Sequence, residues 1–224
     1  MDLILLGISF AIVGLAQGIL SIKYSKYKKI DSNCNLTGRD VAKMILQKND
    51  LVDISVNKIG GHLSDNYNNS NKSVNLSDDI YDGTSIASLS VAAHECGHAI
   101  QYKKGYIPIK IRNVLVPIVN FGNSIGYIIL VIGFFLSIVN LALIGIGLVS
   151  LAVVFQLVTL PCEFNASRRG KKELLELGIV DKKELSGVRS MLNAAAFTYV
   201  AGLFSSLLEV YRLYRNIDRK KERN

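Results

Sequence analysis

The apolar and polar positions of this chain fall into long blocks rather than a fine alternation. Residues 3 to 20, LILLGISFAIVGLAQGIL, are about long enough to span a bilayer as one helix. Between Arg112 and Glu163 no Asp, Glu, Lys or Arg occurs, and that stretch has room for two crossings. It divides near Asn140, where GYIILVIGFFLSIVN and LALIGIGLVSLAVVFQLVTL read as the arms of a helical hairpin with VNL as the outer turn. A fourth uncharged stretch, Ser190 to Leu208, carries Asn193, Thr198, Tyr199, Ser205 and Ser206, and a full crossing would put the basic tail RNIDRKKERN outside. It is therefore expected as a helix buried against the protein or lying in the interface.

Between the first block and Arg112 the pattern becomes that of a small mixed region. LTGRDVAKMIL offers Thr37 as a cap, Asp40 three residues on, and Val41, Met44 and Ile45 at helical spacing. LVDISVNKIGG alternates Val52, Ile54 and Val56, and SVNLS carries Val74 and Leu76. Two short strands are expected to pair there, with GGHLSDNYNNSNK as a turn-rich loop between them. Ser85 then caps a helix through Ile86, Leu89, Ala92 and Ala93 that Gly105 can end.

Composition sharpens the membrane reading: the chain is 50% apolar with a mean hydropathy of +0.30. Only Asp2 precedes the first apolar run, while Lys23, Lys26, Lys28 and Lys29 follow it, the reverse of a cleavable signal peptide. Those lysines place the N-terminus outside and residues 21 to 112 in the cytoplasm; Arg168, Arg169, Lys171 and Lys172 return the chain to the same side. The net charge of +8 clusters beside the apolar blocks without interleaved aromatics, which points to anionic lipid and not to nucleic acid. Cys34, Cys96 and Cys162 are odd in number and on the reducing side, so no disulfide framework is expected.

The chemistry concentrates in VAAHECGHAI, residues 91 to 100. On a helix, His94 and His98 stack one turn apart and can point two imidazoles at one ion, while Glu95 projects along a neighbouring face. A zinc ion with an open position brings the pKa of its water to roughly 7, and a carboxylate beside it can take the proton. Cys96 turns away from that face. Two surface histidines on an amphipathic helix would need no metal, but this helix is rich in Ala92, Ala93, Gly97 and Ala99, where a backbone or substrate approaches closely. Only His62 remains outside the pair. The segment HAIQYKKGY lacks the later histidine of metzincins, so a third ligand must come from elsewhere. Glu163 is the first acid after the hairpin, in the apolar company of Leu160, Pro161, Cys162 and Phe164, where a carboxylate needs a cation. Glu173, Glu176 and Glu184 sit in a lysine-rich segment expected to be solvated.

AAHECGHAIQ, the apolar hairpin and LPCEFNASRR together resemble the YugP-type family of bacterial membrane zinc metallopeptidases and, more distantly, the HtpX and CAAX prenyl protease group. The resemblance also covers LSDNYN, VNLSDDIY and AAAFTYVAG. It implies a mainly α membrane protein with a small α+β gluzincin-like catalytic part facing the cytoplasm, Zn2+ held by His94, His98 and Glu163, and Glu95 as base. The expected organisation is one integrated domain: an N-terminal transmembrane helix (1–22), a cytoplasmic part with the HExxH helix (23–112), a transmembrane hairpin (113–161), and a third-ligand segment with C-terminal helices (162–224). The family more often reads aspartate at Asn165, and His and Asp within the segment DNYNN. The first change bears on a carboxylate behind the ligands and the second on a peripheral or substrate-contacting loop.

The expected function is endopeptidase cleavage of membrane-associated or cytoplasm-facing protein segments, with His62 and Tyr199 as available donors to the reaction's oxyanion. Two other classes are weaker. A non-catalytic scaffold with structural zinc has no need of Glu95 and fills all four positions with protein ligands. A metal-ion carrier would place ionisable residues along its membrane segments.

Overall fold

The computed structural model describes residues 2–221, so the last three residues of the basic tail lie outside it. The described elements run α1 (Asp2–Lys28), α2 (Gly38–Lys48), β1 (Ser55–Ile59), β2 (Asn66–Asn68), β3 (Ser73–Ser77), α3 (Asp78–Tyr81), α4 (Ile86–Lys103), α5 (Ile107–Phe135), α6 (Val139–Val149), α7 (Leu151–Glu176) and α8 (Glu184–Lys221). Among the described residues, four helical segments are long and apolar enough to cross a membrane: Leu3–Lys28, Ile107–Phe135, Val139–Glu176 and Glu184–Arg219.

One sequence expectation shifts here. The hairpin reverses at Leu136–Ile138, before Asn140, which lies inside α6. Ser137 takes the left-handed conformation (φ 59°), and the Ile138 N–H closes α5 by donating to the Gly133 carbonyl at 2.9 Å. Small residues fix this reversal, since a side chain at Gly133 would meet the Ala142 backbone. The stretch from Ser190 to Leu208 belongs to one continuous helix of 38 residues, about 57 Å at 1.5 Å per residue. Its Ser, Thr and Asn residues lower apolarity without breaking a helix, and the segment contains no proline.

The chain forms two compact units. One comprises residues 1–17, 108–160 and 197–224. Its buried cluster is Leu130, Ala142, Ile146, Val149, Leu213 and Ile217. Helices α5 and α6 approach at Gly145, where an added side-chain carbon would lie 2.6 Å from the Leu130 nitrogen.

The other unit comprises residues 18–107 and 161–196 and carries the motif helix. Thr37 and Asp40 form the expected capping box on α2, and the Ser85 hydroxyl accepts from the Ser88 N–H at the start of α4. Gly105, with φ 62°, stops α4, and the next N–H, on Tyr106, donates to the Gln101 carbonyl. The sheet order is β1-β3-β2, with β1 parallel and β2 antiparallel to β3. The strand expected around Val52 and Ile54 begins only at Ser55: Val52 is exposed and Ile54 is already in the core. The supposed loop holds β2, which the sequence hides because Asn66, Tyr67 and Asn68 show no apolar alternation.

Helix α4 is buried nearly all round, with Leu89, Ala92, Ala93 and Cys96 packed on Val41, Ala42 and Ile45 of α2 and on Val74 and Leu76 of β3. Its small residues let α7 close in. A side chain at Gly97 would strike the Ala166 carbonyl, and one at Gly170 would lie 2.6 Å from the Ala93 carbonyl. That contact also corrects the expectation for Glu173, which is only 8% exposed and paired with Lys48 at 2.9 Å. The inner face of α7 extends beyond Glu163 through Ala166 and Gly170 to Leu174, so Glu173 turns toward α2 rather than solvent.

Candidate metal centre

One turn of α4 and one turn of α7 build the site. The rings of His94 and His98 stand 4.9 Å apart at 85°. Glu163, 2% exposed, brings Oε2 to 3.2 Å from His94 Nε2 and 3.5 Å from His98 Nε2. One ligand atom from each of the three lies within 4.8 Å of the others, so the group could hold a metal ion. Ligand atoms about 2.0–2.2 Å from a tetrahedral zinc stand roughly 3.3–3.6 Å apart, and the observed separations match that spacing.

The surrounding hydrogen bonds fix which imidazole nitrogen is available. Arg169 Nε can only donate, and it donates to Asn165 Oδ1 at 2.7 Å. The Cys162 carbonyl can only accept. Gln101 therefore turns its Nε2 to both, donating to the Cys162 oxygen at 2.7 Å and to Asn165 Oδ1 at 3.1 Å. Its Oε1 is left facing His98 Nδ1 at 3.0 Å, so Nδ1 donates and a neutral His98 presents the Nε2 lone pair to the Glu163 carboxylate. Two buried acceptors face each other unless a proton or a metal cation lies between them. This is the arrangement that the donor set of a zinc site requires.

Ser167, one turn after Glu163 on α7, places its hydroxyl 3.1 Å from His94 Nδ1. Both histidines are thus held from behind. Sequence reasoning missed Gln101 and Ser167, although their spacing carried the signal: Gln101 is three residues after His98, and Ser167 four after Glu163, on shared helical faces. Asn165, where the family more often reads aspartate, reaches His98 through Gln101.

Glu95 is buried beside the first histidine at 8% exposure. Burial pushes its carboxyl above the ordinary carboxylate range, against the opposing pull of His94 and His98, while the Glu163 and then the Asp65 carboxylates push in the same direction as burial. Asp65 is anchored by the Ser77 N–H, which donates to it at 2.7 Å. His62 sets its ring edge-on to Tyr24 at 5.0 Å, and Tyr199 belongs to the other unit. Cys96 points away as expected, its thiol 3.6 Å from the Ala42 carbonyl, and the three cysteines are free thiols.

Gln101→Leu should weaken zinc binding about 10- to 100-fold, the usual cost of removing a partner behind a ligand. Asn165→Asp should preserve it, because aspartate accepts from the same two donors. Competition titration against a chromogenic chelator reads both, and equal affinity in Gln101→Leu and wild type would remove Gln101 from the site.

Among known proteins, residues 2–217 match the family described as "Putative neutral zinc metallopeptidase". The chain is 40% identical over 207 residues to "Putative membrane protease YugP" of Bacillus subtilis (strain 168), covering 92% of this chain and 90% of that protein. No solved structure matches. With both matches running over nearly its whole length, and with a side-chain cluster suited to the metal, the chain belongs to this family of zinc metallopeptidases.

Proposed function

We propose that the protein is a membrane-anchored, zinc-dependent endopeptidase of gluzincin type that hydrolyses membrane-associated or cytoplasm-facing protein segments. The observation that carries this reading is the convergence of His94, His98 and Glu163, with Glu95 buried beside them in the HExxH turn. Three protein ligands leave a fourth position open, as in catalytic rather than structural zinc sites. Zinc, when bound there, supplies Lewis-acid polarisation of a water and of the scissile carbonyl. Glu95 takes the proton of the attacking water and returns it to the leaving amine. Gln101 and Ser167 keep the Nε2 atoms of His98 and His94 turned toward the ion.

Glu95→Gln should retain zinc and lose hydrolysis by about 10²-fold or more, since an amide cannot accept the proton. Detergent-purified protein digesting an unstructured casein-type substrate in a chelator-sensitive manner provides the assay. Near wild-type turnover by metal-replete Glu95→Gln would reject Glu95 as the base.

The charge pattern supports a multi-pass protein of the cell membrane with this site on the cytoplasmic side. Lys23, Lys26, Lys28 and Lys29 follow the first apolar run, and Arg168 to Lys172 follow the third. A cysteine introduced at Lys28 should stay unlabelled by an impermeant thiol reagent in intact cells and react after lysis. Labelling before lysis would invert the orientation.

A further inference from the structure

Away from the metal centre, α7 and α8 line a cavity of about 450 Å³ whose polar wall is almost entirely cationic. Arg168, Lys171 and Lys172 stand on α7 and Arg189 on α8, and the one acid among the lining residues is Glu176. That acid is already engaged: its Oε2 lies 2.5 Å from Lys48 Nζ, and its Oε1 lies 3.4 Å from Lys172. Among the described ion pairs, none takes Arg168, Lys171 or Arg189. Arg168 and Arg189 both repel the Lys171 ammonium. The three α7 cations follow an i, i+3, i+4 spacing, at which like charges weaken a helix. A fold gains nothing internal from gathering them around one cavity.

Their position along α7 indicates what neutralises them. The helix reaches this cluster directly from its apolar run, and Phe164 is still 49% exposed. Arg168 comes one turn later, about 6 Å along the axis. The headgroup layer on each side of a bilayer is about 5–8 Å thick. Cations one turn beyond an exposed aromatic residue are therefore at phosphate depth when α7 crosses a membrane.

We propose that this cavity binds the phosphate of an anionic phospholipid headgroup, with Arg168, Lys171 and Arg189 as its cationic partners and Lys172 at the rim. The site is separate from the metal centre and does not depend on peptide hydrolysis. The half-buried Lys171 and the buried Leu185 floor give the headgroup a recess rather than a flat charged surface. Charge complementarity selects phosphatidylglycerol over zwitterionic phosphatidylcholine.

Native mass spectrometry of the detergent-purified chain, given phosphatidylglycerol or phosphatidylcholine with matched acyl chains, tests the assignment. Wild type should retain phosphatidylglycerol preferentially. Arg168→Gln combined with Arg189→Gln should weaken that retention about 25-fold, at roughly fivefold per cation. The charge-matched pair Lys43→Gln and Lys104→Gln, outside the cavity, should leave it unchanged, and zinc content checks that each variant is folded. Should the double variant lose zinc, Lys171→Gln alone carries the test, with a loss of roughly fivefold expected. Equal retention of the two lipids, or equal loss in the cavity and control variants, overturns the proposal. Displacement of the lipid by millimolar inorganic phosphate or by an acidic peptide assigns the cavity to a different ligand and overturns it as well.

Discussion

A buried carboxylate against two imidazoles is costly unless positive charge joins them, and the rest of the site is arranged around that constraint. Glu163 is nearly inaccessible, and its oxygen lies within 3.5 Å of both Nε2 atoms. The amide chain from Arg169 through Asn165 and Gln101 prevents His98 from resolving the conflict by switching tautomer. Protonation or a metal ion remains. The metal is the answer that also explains Ser167 behind His94 and the match to a zinc metallopeptidase family.

The same constraint reaches into the packing. Two helices must approach within backbone contact for a residue of α7 to reach a pair on α4, and Gly97 and Gly170 make that approach possible. Glycine inside a helix costs about 1 kcal/mol relative to alanine, so these positions trade helix stability for the crossing that assembles the ligands. Burial of α4 on α2 and β3 supplies the rigid support on the opposite side.

Much of this was legible in the chain itself. His94, Glu95 and His98 were readable because helical spacing converts sequence distance directly into a shared or neighbouring face. Glu163 was readable because a lone acid in apolar surroundings needs a partner, and because the flanking LPCEFNASRR resembles a family motif. The caps at Thr37, Ser85 and Gly105 followed from local chemistry. What failed depended on tertiary context. Strand β2 is held by the neighbouring β3 rather than by its own polar residues, the hairpin turn is set by backbone contact at Gly133 rather than by Asn140, and Glu173 is drawn inward by Lys48. Gln101 showed its role only once the Cys162 carbonyl and Asn165 stood beside it.

The central claim is that one zinc ion sits between His94, His98 and Glu163, and zinc K-edge X-ray absorption on the purified protein addresses it most directly. The account predicts about one zinc per chain, a first shell of nitrogen and oxygen at about 2.0–2.2 Å without sulfur, and loss of the metal in His94→Ala. A sulfur shell near 2.3 Å would contradict it, as would undiminished zinc in His94→Ala.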